Sequence, residues 1–251
     1  MQFLAGYKIV ATDNFANHFH PEHLADLRKS GLTDETIQMA GVYSIAPGDI
    51  NRFFRQAPDE VESALCFPYQ GGSFARIKLF PALGKMKYSQ PPRTGARLYV
   101  PHPVTDHGPL WVVEGEKKTL AAIQIGEPAV GIGGVWNWLS DGEPIADIQL
   151  VDWSGREVTI VPDSDVFRRT DLLRAIYALG REIQALGAEV LVAQIPQDDD
   201  SAKVGLDDFL VAGGDTSEIR SVSLGSRELS RLSPWYSQWK IKKAMKASQE
   251  E

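Results

Sequence analysis

"LWVVEGEKKTLAAIQIGEPAVGI", residues 110–132, has the pattern strand, helix, strand. "LWVV" is a continuous apolar run, the signature of a strand buried on both faces of a parallel sheet. "EGEKKTLAAIQIG" reads as a helix closed by a glycine, and "PAVGI" as a second short apolar strand. The pattern then repeats. "EVTIVP" (157–162) carries the strand signal. "TDLLRAIYALGREIQALG" places Leu172, Leu173, Ile176, Leu179, Ile183 and Leu186 at helical spacing up to Gly187, and "EVLVAQIP" (189–196) is a fourth strand. Strands alternating with helices predict an α/β unit built on a central parallel sheet flanked by helices.

Upstream the pattern is different. "PEHLADLRKSG" and "TDETIQMAG" predict two short helices, each ended by a glycine, with Thr33 as cap of the second and Asp34 and Glu35 in its first turn. "PGDINRFFRQA" predicts a third short helix. "ALCFPY" and "FARIKLF" predict a strand pair around a "QGGS" turn, and "KMKYSQPPRTGA" is too rich in Pro and Gly for regular structure. This divides the chain into a smaller mixed α+β basic subdomain (1–106), the α/β domain (107–222) and a polar helical tail (223–251). In the tail, Trp235, Tyr236 and Trp239 are expected to pack back onto the domain.

The chain has 251 residues, 43% hydrophobic and 24% charged, as in an ordinary globular protein. No apolar run approaches a membrane span of about 18 residues, and the first residues lack the basic start and sustained apolar stretch of a signal peptide. Cys66, the single cysteine, excludes an internal disulfide and any multi-cysteine zinc module. A reducing cytoplasm is the expected location. A net charge of −7 argues against a protein that coats nucleic acid over its whole surface. The charge is unevenly spread, however. From Ser63 to Thr105 there is no Asp or Glu, while Arg76, Lys78, Lys85, Lys87, Arg93 and Arg97 all fall within that segment.

In open parallel sheets, functional groups collect beyond the C-terminal strand ends. Glu114 follows "LWVV", Asp163 and Asp165 follow "VTIV", and Asp207 and Asp208 follow the fourth strand in "KVGLDDFL". Hard oxygen ligands of this kind suit Mg2+ or Mn2+. The alternatives are a strand-to-helix turn for Asp163 and Asp165, a helix N-terminal acid for Glu114, and helix caps for Asp207 and Asp208. "GIGGVWNW" (131–138) suits either a backbone phosphate cradle or a tight turn packed by Trp136 and Trp138. His18, His20 and His23 lack the partners of a zinc site, and "DDDS" (198–201) reads as a solvated loop.

Taken together, "LWVVEGEKKTLAAIQIGEPAVGIGGVWNW", "VTIVPDSD" and "GLDDFLVAGG" resemble a TOPRIM domain, the fold shared by bacterial-type primases, topoisomerases and certain nucleases. The similarity continues upstream. "LRKSGLTDETIQMAGVYS", "LCFPYQGGSFARIKLF" and "KMKYSQPPRTGARLYVP" resemble the primase catalytic core, so the likeness spans roughly residues 22–215. It is strongest to primase-like TOPRIM proteins of phages, plasmids and integrative elements.

The resemblance implies a primase-like, metal-dependent nucleotidyltransferase that acts on single-stranded DNA with nucleoside triphosphates. Glu114, Asp163 and Asp165 would be catalytic and, with Asp207 and Asp208, would hold Mg2+ or Mn2+. Arg76, Lys78, Lys85, Lys87 and Arg97 would hold template and nucleotide phosphates. A replicative helicase or zinc-binding module would act in trans, and no membrane is involved. In one departure, Lys118 stands where many primases carry an Asp four residues after the first acid. Glu116 is the acid that could compensate. Lys118 favours a second reading, a non-catalytic nucleic-acid-binding accessory protein that docks a helicase or polymerase. A TOPRIM nuclease, using the same acids for hydrolysis, is the third.

Overall fold

The structure, a computed structural model, describes residues 15–16, 18–45, 47–56, 58–104, 107–197 and 203–248. The acidic string at 198–201 and the expected boundary at residue 106 lie outside the described residues.

Pro21 opens α1 (Pro21–Lys29), where its fixed φ suits the first helical turn and its missing N–H removes no bond. Thr33 caps α2 (Asp34–Met39), its Oγ1 accepting the Thr36 N–H at 3.3 Å. Each helix ends in a turn that a glycine, Gly31 or Gly41, completes at positive φ. β1 (Tyr43–Ile45) follows, and then the third short helix, Pro47–Phe53, which is wound as a 3-10 helix. β2 (Ser63–Pro68) and β3 (Ala75–Leu83) form the expected hairpin, and β4 (Met86–Ser89) extends it. The four strands make an antiparallel sheet in the order β1-β2-β3-β4. β4 departs from the sequence reading. It is an edge strand with little burial, held by its ladder to Ile77 and Lys78 on β3 rather than by an apolar face.

The second unit begins with β5 (Leu98–Tyr99), then β6 (Leu110–Glu114), α3 (Glu116–Gln124) and β7 (Ala129–Ile132). A small hairpin of β8 (Leu139–Ser140) and β9 (Glu143–Pro144) precedes β10 (Glu157–Val161), α4 (Thr170–Ala185) and β11 (Glu189–Gln194). The chain closes with α5 (Leu206–Val211), β12 (Arg220–Ser223), α6 (Arg227–Ser230) and α7 (Ser233–Ala247). The sheet runs β12-β11-β10-β6-β7-β5. Its four inner strands, those expected from sequence, are parallel, and the edge strands β12 and β5 are antiparallel. Val161 pairs with Val113, and Glu114 with Ile132, so β6 and β10 end side by side.

One apolar cluster lies between this sheet, α4 and the C-terminal segment; Trp138, Ile160, Ile176 and Val192 within it are fully buried. "GIGGVWNW" is a turn packed by Trp138 alone of its two tryptophans: Trp138 fills the core, Trp136 is exposed, and Gly131 lets Thr119 and Tyr99 close against β7. The tail is docked. Leu224, Leu229 and Leu232 enter the same cluster, Trp239 lies against Trp138, and the Tyr236 hydroxyl donates to Glu182 Oε1 at 2.8 Å.

A second cluster joins the two units, bringing Leu24, Leu27, Ile37, Leu65, Phe67 and Tyr99 together with Leu120 and Ala121 of α3. Polar contacts run along this seam. The Gln124 side-chain amide donates to the Gly31 carbonyl and accepts from the Thr33 N–H, each at 2.8 Å. The Ser30 hydroxyl donates to Asp207 Oδ2 at 2.6 Å. No described helix is long and apolar enough to cross a membrane.

Candidate functional site

Glu114 ends β6, and Asp163 stands two residues beyond β10. Because these strands are parallel neighbours, the two acids share one sheet edge. The Asp163 N–H lies 3.4 Å from Glu114 Oε2. Asp163 is almost fully buried, and its side chain makes no cap to the 3-10 turn that follows. A turn-forming role therefore does not account for it. Burial raises the Glu114 carboxyl above its ordinary pKa, and the Asp163 charge adds to that, while Lys118 and Lys203 act in the opposite direction.

Asp163 is held by two lysines. The Lys118 ammonium donates to Oδ1 and the Lys203 ammonium to Oδ2. Burial pulls the Lys203 pKa down, but its hydrogen bond and charge contact with Asp163, reinforced by Glu114 and Asp165, outweigh that and raise it above normal. The positive charge that meets Asp163 is thus supplied by the chain itself, as two lysine ammonium groups. Asp165 itself stands 3.8 Å from Arg169. Among the described residues no three Asp, Glu, His or Cys side chains come together as a metal-ligating group. The residues present do not fit a divalent ion at Asp163, since both its oxygens already accept from ammonium groups.

The remaining acids have other commitments. Asp207 accepts from Ser30, and Asp208 accepts the Gly205 N–H at 3.2 Å as the capping acid of α5. Glu116, which could have compensated for Lys118, is buried and accepts from the Tyr69 hydroxyl and from Arg76 Nη1, each at 2.7 Å.

Arg76 corrects the sequence reading. Expected to meet phosphate, it is only 11% exposed and joins β3 to Glu116 and to the Gly133 carbonyl, 3.2 Å away. It passes so close to Gly133 that a Cβ there would lie 2.0 Å from its Nη1. Lys78 is half-buried on Asp26, which Lys117 also contacts at 3.1 Å. These two lysines outweigh the effect of burial and keep the Asp26 pKa low. Arg97 pairs with Asp147 at 2.9 Å. Lys85 and Lys87 are exposed on the β3–β4 hairpin. His23 is a core residue bridging Ser44 and Ser63, not a metal ligand.

A cleft of about 240 Å3 opens at the seam, lined by Asp26, Lys29, Ser30, Lys117, Lys118, Asp163, Lys203, Gly205, Asp207 and Asp208. Six of these ten were missed from sequence: Asp26, Lys29, Ser30, Lys117, Lys203 and Gly205. The only available signal for Lys203 was its place in "KVGLDD", where the acids drew the reading.

A family model described as a domain of unknown function (DUF3854) matches residues 103–217. No curated protein matches the chain. Among solved structures, it is similar to the primase fragment of the bacteriophage T7 primase-helicase protein, with 16% identity and a TM-score of 0.48 over 75% of this chain and 70% of that one. It is also similar to a structure of bacteriophage T7 lagging-strand DNA polymerase interacting with primase domains bound to an RNA/DNA hybrid and dTTP. There the identity is 15% and the TM-score 0.44, over 82% of this chain and 73% of that one.

Proposed function

We propose that this chain is a primase-like protein of the TOPRIM type that works on single-stranded DNA in the replication of a phage or other mobile element, with nucleotidyl transfer from nucleoside triphosphates as its reaction. The observation that carries this reading is the meeting of Glu114 and Asp163 at the ends of adjacent parallel strands, on the edge where such sheets place their chemistry. Asp207 and Lys203 face the same cleft. Template contacts fall to Lys85 and Lys87 on the exposed hairpin, and a helicase or zinc-binding module would join in trans. The test is incubation with labelled nucleoside triphosphates and single-stranded DNA in Mg2+ or Mn2+. Template-dependent extension is the expected product; cleavage of the DNA would turn the reading to a nuclease.

A second reading is an accessory protein that binds nucleic acid without chemistry. The specific observation in its favour is the pair of ammonium groups, Lys118 and Lys203, on Asp163. Binding of single-stranded DNA with neither extension nor cleavage in the same assay would select it.

A further inference from the structure

We propose that the cleft between α1, α3 and α5 is a metal-independent phosphate site, in which Lys118 and Lys203 provide the positive charge that a divalent ion would otherwise supply and, with Lys29 and Lys117, receive the anion.

Three observations support it. First, each carboxylate of the cleft already has a partner, while its lysines keep free donors. Every carboxylate lining the cleft is already an acceptor: Asp26 for Lys78 and Lys117, Asp163 for Lys118 and Lys203, Asp207 for Ser30, and Asp208 for the Gly205 N–H. An ammonium carries three donors and no acceptor. Lys118 and Lys203 each use one donor on Asp163, and Lys29 makes no ion pair among the described residues. Each of these three lysines therefore keeps N–H donors free to meet an anion.

Second, the stem of Lys118 lies in a built channel. A Cβ on Gly115 would lie 3.2 Å from Lys118 Cε, and one on Gly205 would lie 3.0 Å from its Cδ. The absence of a side chain at these two glycines leaves room for the Lys118 stem along the wall of the cleft, with its ammonium on Asp163. A solvated surface lysine needs no such channel.

Third, the four lysines come from both units, Lys29 from α1, Lys117 and Lys118 from the first turn of α3, and Lys203 from the approach to α5. They surround a space that takes a phosphate group with its waters. Two sources share this chemistry: the polyphosphate of a nucleotide and the backbone of a nucleic acid.

The inference rests on reading this cleft as the place where phosphates meet the protein, and not on nucleotidyl transfer. It is tested by calorimetric titration with inorganic tripolyphosphate and, separately, with a short single-stranded oligonucleotide lacking a 5′-phosphate, each in EDTA and in Mn2+. Saturable binding of at least one probe in EDTA, changed less than about threefold by Mn2+, is expected. The probe bound more tightly identifies the source. Lys203→Met, at an exposed position, and Lys118→Met should each weaken it about tenfold, the loss of one charge-assisted hydrogen bond. Circular dichroism confirms that both variants are folded. Mn2+ should give no tight electron paramagnetic resonance signal of a bound ion with the native chain, and should give one with the Lys118→Asp/Lys203→Met variant, which restores an all-carboxylate edge. Binding of both probes only with Mn2+, or an affinity unchanged in folded Lys203→Met, overturns the inference. A chain that binds without extending primers retains it and loses the catalytic reading. One that extends primers but binds phosphate only through a metal does the reverse.

Discussion

Arg76 Nη1 lies 2.7 Å from Glu116 Oε1, linking β3 of the antiparallel sheet to the first turn of α3, with both side chains withdrawn from solvent. Removing one member of such a pair leaves a buried charge without a partner, which costs about 3–5 kcal/mol. Arg76→Ala should therefore shift the denaturant midpoint strongly downward, and Arg76→Ala/Glu116→Gln should recover part of the loss. A surface cation holding phosphate would instead change stability by no more than about 0.5 kcal/mol.

His23 should make the protein sensitive to mild acid. Burial, with the neighbouring charges of His20 and Lys78 against the opposing pull of Asp26, lowers its pKa to about 4. A depressed base stabilises the fold above its unfolded value near 6.5 and loses that contribution as pH falls towards 4, on the order of 3 kcal/mol in all. Glu114, its pKa raised by burial, works the other way as pH falls. Unfolding free energy followed from pH 7 to 4 in the native chain and in His23→Gln separates the two, and the variant should show the flatter profile.

Asp163→Asn should lower the melting temperature equally with and without Mn2+. The substitution removes the acceptor charge shared by Lys118 and Lys203, at a cost of about 1–3 kcal/mol. A rise in the melting temperature of the metal-free variant would instead show that clustered acids repel one another there.

The C-terminal helix should contribute to stability. Trp239 stacks on Trp235, packs against Trp138, and lies under Lys243. Trp239→Ala, at a partly buried position, should cost about 2 kcal/mol, less than the 3–5 of a fully buried aromatic. Intrinsic fluorescence during chemical denaturation measures it.

The parallel strands were legible because burial on both faces writes an unbroken apolar run, and α4 because its Leu and Ile positions follow one helical face. β4, β5 and β12 were not: β4 and β12 are short edge strands held mainly by a ladder to a neighbour, β12 burying only Val222, and β5, though buried, is two residues long and too short to show a pattern. The acids of the cleft were legible from their places after strands. Their partners were not, because a sequence marks charges without pairing them. Lys118 and Lys203 reach Asp163 across 45 and 40 positions, and Arg76 reaches Glu116 across 40. A string of cations free of acids thus read as a nucleic-acid surface, although three of its members meet acids from elsewhere in the chain.

The side-chain amide of Gln124 has a peptide group's donor and acceptor, and it spends both on the corner between α1 and α2, at Gly31 and Thr33. In effect α3 lends that corner one missing link of backbone. The corner thus has its full hydrogen bonding only while α3 is docked, and the Thr33 amide proton becomes a local reporter of that docking. Its exchange with deuterium should slow when the two units close on each other and quicken in Gln124→Ala, while the amides inside α4 keep their protection.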